Sequence, residues 1–191
     1  MLAVTGWRPE GARPAAAKYV LIAAPHTSNW DLLYLLALAA VFDVDVRWMG
    51  KHTLFRWPLG AAMRALGGIP IRRHRNENVV QAMARAFAEC DALALVVPAE
   101  GTRSHAPYWK SGFYHIARAA GVPVVMGYLD YPRRRGGFGP ALVPSGDVVA
   151  DMERIRAFYA DKVGRHPAGA GPVRLREEEA VPRPGAEAGG A

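Results

Sequence analysis

Lys18 to Asp31 reads KYVLIAAPHTSNWD, and the fold is decided there. KYVLIAA is a short run of apolar and β-branched residues of the kind that fills a strand covered on both faces, and Pro25 ends it. His26 therefore falls at the strand's carboxyl end. Ser28 or Asn29 can cap the helix that follows through Leu32 to Phe42, an 11-residue apolar run whose hydrophobicity on nearly every face implies burial or contact with lipid. HTSNWD is then a strand-to-helix turn, the place where open α/β sheets gather their chemistry.

Working outward, the same alternation repeats. Strands are expected at Val44–Met49, Gly68–Arg72 (GIPIR), Ala92–Val97 (ALALVV) and Val122–Leu129. Helices are expected at Thr53–Leu66, broken near Pro58, then at Asn78–Glu89, Ser111–Ala120, closed by Gly121, and Asp151–Val163. Alternating strands and helices predict an α/β fold, a single domain with a mostly parallel mixed sheet covered by helices. A chain of 191 residues, 51% hydrophobic, suits one such core. The domain is expected over residues 1–163. Residues 164–191, rich in Gly, Pro, Glu and Ala without periodicity, are expected to be a disordered tail.

The formal net charge of +7 sets aside an acidic disordered chain and favours an anionic partner. Val46 to Asn76 holds Arg47, Lys51, Arg56, Arg64, Arg72, Arg73 and Arg75 with no acidic residue. The basic surface thus belongs to the middle of the chain. With one cysteine there is no internal disulfide and no thiolate-rich metal site, and Cys90 reads as packing filler in a reducing cytoplasm. Met1 to Val20 lacks the apolar core of a secretory signal, and 11 apolar residues fall short of the ~20 that span a bilayer.

His26 and Asp31 converge across the turn more readily than they would at five-residue separation on one helix. A carboxylate on the imidazole fixes its tautomer and stabilises the imidazolium as the other nitrogen takes a proton. The pair alone reads more readily as a capped helix start with Asp31 near the positive dipole end. A second segment, VVPAEGTRS, alters the balance. It too leaves a buried strand and brings Glu100, Gly101, Thr102 and Arg103 together, Gly101 permitting close backbone approach and Arg103 offering a fork for phosphate. A third, GGIPIRR, carries Arg72 and Arg73 off another strand.

Together these segments resemble the glycerol-phosphate and lysophosphatidic acid acyltransferases over roughly Val20 to Leu129. HTSNWD looks like that family's His-x4-Asp, GGIPIRR its second block, PAEGTRS its third and AGVPVV its fourth, in the family's order. Departures are Pro98 and Ala99, where the third block more often has Phe-Pro, and Met126, where the fourth often has proline.

The resemblance implies a glycerol-3-phosphate acyltransferase-like fold and fatty acyl transfer from acyl-CoA or acyl carrier protein to a lysophospholipid hydroxyl, such as that of 1-acylglycerol-3-phosphate. His26 would be the general base and Asp31 its orienter; Arg73, Glu100, Gly101, Thr102, Arg103 and, ranked lower, Arg72 would hold the acceptor's phosphate. A thioester is already activated, so a base on the hydroxyl suffices and no nucleophilic side chain, metal or cofactor is implied. Backbone amides at the start of the helix after Asp31 are candidates for the oxyanion.

Relatives often carry membrane-spanning segments; here contact is expected to be peripheral, on the inner face of the cell membrane. Lys51, His52, Leu54, Phe55, Arg56, Trp57 and Pro58 mix cations with apolar groups as a lipid interface does, or else Leu54, Phe55 and Trp57 are core. Trp109 to His115 reads mainly as helix packing, and Arg133 to Arg135 as a solvated loop with the phosphates of CoA as one use. Alternatives are a lipoamino acid or glycolipid acceptor, or a non-catalytic lipid-surface protein. Nucleic acid ranks below both, because no binding motif accompanies the arginines.

Overall fold

Side chains along Lys18–Ala24 point alternately to the two faces of a sheet: Tyr19 and Leu21 pack one way, Val20, Ile22 and Ala24 the other. In the computed structural model, which describes residues 1–71 and 79–179, this strand lies near the middle of a seven-stranded sheet. The strands are β1 (Arg8–Glu10), β2 (Lys18–Ala24), β3 (Val46–Lys51), β4 (Gly68–Ile71), β5 (Leu93–Val97), β6 (Val124–Asp130) and β7 (Arg135–Leu142), in the spatial order β1-β7-β6-β2-β5-β3-β4. All pairings are parallel except β6 with β7.

Helices cover both faces. α1 (Trp30–Val41) and α2 (Gly60–Ala65), with a 3₁₀ turn at His52–Phe55, lie over Leu21, Trp48, Val96 and Phe138. α3 (Val79–Glu89), α4 (Gly112–Ala120) and α5 (Val148–Tyr159) cover Ile22, Leu95, Val97 and Val124. Gly121 closes α4 in the left-handed conformation, as expected, and Asp147 caps α5 by accepting from the amides of Val149 and Ala150. The single-domain, mostly parallel mixed sheet matches the sequence expectation.

Four points differ from expectation. First, Arg133 to Arg135 are exposed, as the expected basic loop has them, but a strand not expected there, β7, begins at Arg135. Its glycines admit close neighbours: a Cβ at Gly137 would collide with the Glu10 carbonyl of β1. Pro140 is tolerated because β1 pairs only with Arg135–Gly137, leaving that end of β7 without a neighbour on the β1 side. The arginines there face acids, Arg133 reaching Asp130 at 2.6 Å and Asp161, and Arg135 meeting Glu10. Second, the helix expected as one broken piece over Thr53–Leu66 is a 3₁₀ turn and the short α2, parted at Pro58.

Third, the chain does not leave the core at Gly164. Leu175 is fully buried in the main cluster and bridges to Trp109, Arg174 Nε donates to the Pro107 carbonyl, and the His166 amide donates to Thr27 Oγ1 at 3.1 Å. Residues 164–179 thus pack across the turns that carry the site, and one buried leucine anchors a stretch that composition marks as unstructured. Residues 180–191 lie outside the described part. Fourth, Cys90 is exposed at the end of α3 rather than packed.

Candidate active site

Three neighbouring parallel strands, β6, β2 and β5, end on the same edge of the sheet, and each delivers side chains there. β2 delivers the HTSNWD turn. His26 Nδ1 stands 3.1 Å from Asp31 Oδ2, the convergence expected from the turn. The same oxygen accepts from the amides of Thr27 and Ser28, each at 2.9 Å, while Oδ1 accepts from the Tyr131 hydroxyl at 2.6 Å. Ser28 Oγ accepts from the Trp30 amide, so the helix start is secured by Ser28 and Asn29 makes no side-chain cap. The amides of Thr27, Ser28 and Trp30 are therefore engaged.

Asp31 is 5% exposed. Burial alone would raise its pKa, but hydrogen bonds from His26, Tyr131 and the backbone outweigh burial and hold the carboxyl below its ordinary value. An ionised carboxylate only accepts, so Nδ1 of His26 carries the proton in this pair and Nε2 is left for a substrate.

β5 delivers Pro98 to Ser104. Glu100 is 3% exposed, its Oε1 accepts from the His26 amide at 3.2 Å, and its Oε2 has no partner among the described residues. Burial pushes its carboxyl up to about 7, and the neighbouring Asp31 charge adds to the rise. Glu100 thus braces the backbone of the HTSNWD turn. The resemblance implies a part in holding the acceptor's phosphate, and the contact Glu100 makes here is with the backbone of the turn.

Gly101 takes φ +67°, and a Cβ there would approach Lys110 Cγ to 2.8 Å. Thr102 and Arg103 are exposed, and Thr102 Oγ1 accepts from the Ser104 amide. Arg72 and Arg73 lie outside the described residues. Tyr131, at the end of β6, was missed by sequence reading. The usable signal was its position: Asp130 and Tyr131 leave β6 as His26 leaves β2.

His26, Asp31 and Gly101–Arg103 line a cavity of about 660 Å³ that runs under α1. Its remaining walls are mostly apolar, among them Leu21, Leu35, Trp48, Val96 and Phe138, with Lys51 and Leu54 also lining it. A part-buried imidazole held by a buried carboxylate beside an apolar chamber of this size suits proton abstraction from a lipid hydroxyl. Trp109, Phe113 and Tyr114 are core, as the packing reading had it.

Beyond the site, Phe55 is core, whereas Leu54, Leu59 and Leu66 are exposed and Trp57 is 93% exposed. Among the described residues, no helix is long and apolar enough to cross a membrane.

The chain resembles a solved structure, the crystal structure of the 1-acyl-sn-glycerophosphate (LPA) acyltransferase PlsC from Thermotoga maritima. The TM-score is 0.53 at 18% identity, over 77% of this chain and 66% of that one. At that identity the likeness speaks for the fold. No curated protein matches. The sequence model described as Acyltransferase matches residues 9–127, more than half of the chain and inclusive of His26, Asp31 and Glu100 to Arg103. With the ordered blocks and the sheet-edge dyad, that match means the chain belongs to the acyltransferase family.

Proposed function

We propose that the protein transfers a fatty acyl group from acyl-CoA or acyl carrier protein to the free hydroxyl of a phosphate-bearing lysolipid such as 1-acylglycerol-3-phosphate. The observation that carries the reading is the His26–Asp31 pair at the wall of a largely apolar cavity, with Arg103 also lining it. In the step, His26 Nε2 takes the hydroxyl proton as the oxygen attacks the thioester carbonyl. The C–S bond then breaks, and the thiolate leaves with the proton from the imidazolium, so an ester and a free thiol are formed and the neutral histidine is restored. Asp31 stabilises the transient imidazolium and keeps Nδ1 as its partner. The cavity takes acyl chain, and Arg103 meets the acceptor's phosphate.

Access from a membrane surface fits the same arrangement. Lys51 and Leu54 line the cavity, and Leu54 begins the stretch whose exposed apolar groups Trp57, Leu59 and Leu66 alternate with Arg56 and Arg64. Apolar groups entering an anionic leaflet, with each cation adding about 1 kcal/mol there, would seat the chain peripherally at the cytoplasmic face.

The test is a matrix of purified protein, acyl-CoA or acyl carrier protein donors, and lysolipid acceptors, with products identified by mass spectrometry. Esterification of 1-acylglycerol-3-phosphate, lost when the phosphate is absent, is expected. Transfer confined to lipoamino acid or glycolipid acceptors would overturn the acceptor. Salt-sensitive vesicle binding with no thioester consumed would make the chain a lipid-surface protein.

A further inference from the structure

We propose that Tyr131 is a positioning residue of this site, its hydroxyl holding the Asp31 carboxylate so that Oδ2 is presented to His26. The proposal rests on the reading of His26 as the base. Asp31 is almost wholly buried, and its hydrogen bonds divide unevenly: Oδ2 takes Thr27, Ser28 and His26, and Oδ1 takes Tyr131. Because a carboxylate turns about one bond, a short contact on Oδ1 sets the plane in which Oδ2 meets the imidazole. At 2.6 Å it is the shortest of the four contacts, as a phenol donating to an anion should be.

The phenol is a donor and stays one. Burial and the bond to Asp31 both raise its pKa far above the ordinary tyrosine value. Its ring is fixed by parts of the chain remote from one another. Trp7, ahead of β1, meets it edge-on at 5.0 Å and Tyr34 of α1 at 5.9 Å, while Trp7 and Tyr34 stack at 4.3 Å. The Tyr131 amide donates to the Val163 carbonyl at 3.0 Å, just before His166 donates to Thr27 of the catalytic turn. The segment that follows α5 therefore ties down both the tyrosine and the turn it serves. Tyr131 also lies beyond residue 127, where the family match ends, so this support belongs to the part of the chain that the family pattern does not specify.

Tyr131→Phe keeps the ring and deletes the contact. In the purified full chain, kcat for acyl transfer should fall about tenfold or more, the scale on which lost orientation acts. KM for donor and acceptor should stay within about twofold, because neither substrate has lost a contact. In protein labelled with ¹⁵N-histidine, the His26 ring, assigned by its loss in His26→Gln, should move from a dominant Nδ1–H tautomer toward a mixture. Wild-type kcat overturns the proposal. So does lost activity with unchanged His26 signals, or with raised KM and lowered Tm, which marks a role in packing alone. Failure of the underlying reading looks different: His26→Gln itself would retain transfer.

Discussion

Replacing Glu100 by Gln removes a titration from beside the HTSNWD turn, and its consequence for stability can be worked out. The carboxyl is 3% exposed and pushed from 4.5 up to about 7, chiefly by burial, so the folded chain keeps a proton that the unfolded chain releases. Stability is therefore full below pH 4.5, declines as pH rises through the window to 7, and is level above it. A rise of this size at about 1.36 kcal/mol per unit gives about 3 kcal/mol in all, of which about 2–3 falls between pH 5 and pH 8.

Gln keeps an oxygen for the His26 amide and does not titrate. Its buried amide brings a constant penalty, but that penalty drops out when each protein is compared with itself across pH. Contributions from Asp31, which is held low and so loses stability as pH falls, are common to both proteins and cancel to first order. Urea unfolding at pH 5, 6, 7 and 8 should show the wild type losing about 2–3 kcal/mol relative to Glu100→Gln, or about 4–12 °C in Tm for a domain of this size. Curves that run parallel within about 0.5 kcal/mol would refute the buried, proton-holding carboxyl and with it the brace under His26.

Further outcomes follow from neighbouring contacts. Asp31→Asn keeps an oxygen for the Thr27 and Ser28 amides but removes the charge, so kcat should drop about 10²- to 10⁴-fold with the fold intact by circular dichroism; a loss under about tenfold would contradict Asp31 as orienter. Leu175→Ala opens a hole in the main core and should lower unfolding free energy by about 2–5 kcal/mol in urea, where a loose tail would change it by under about 0.5. Trp57→Ala should leave Tm unchanged and weaken sedimentation with anionic vesicles, and undiminished sedimentation would move the membrane contact elsewhere.

Much of this was legible because parallel strands announce themselves. KYVLIAA and ALALVV are unbroken apolar runs, and a polar turn after such a run lies at the sheet edge where sites form, which is why His26, Asp31 and Glu100 stand out as candidates in the sequence. What escaped depended on contacts between distant segments. Tyr131 follows β6 with no motif around it, and only folding brings its hydroxyl across 100 residues of chain to Asp31. β7 hides behind its glycines and Pro140, which suit its particular neighbours rather than strands in general. Leu175 stands alone in a Gly- and Pro-rich stretch, so no periodicity marks it as core. Glu100 is legible as a polar residue after a strand, but its burial and its contact with the His26 amide are properties of the fold.

The central claim is that His26 removes the acceptor's proton, and a single-turnover assay of thiol release from acyl-CoA with 1-acylglycerol-3-phosphate tests it most directly. His26→Ala should slow release by at least about 10²-fold while donor binding, measured separately, is retained. Release at the wild-type rate from a correctly folded His26→Ala protein would contradict the account.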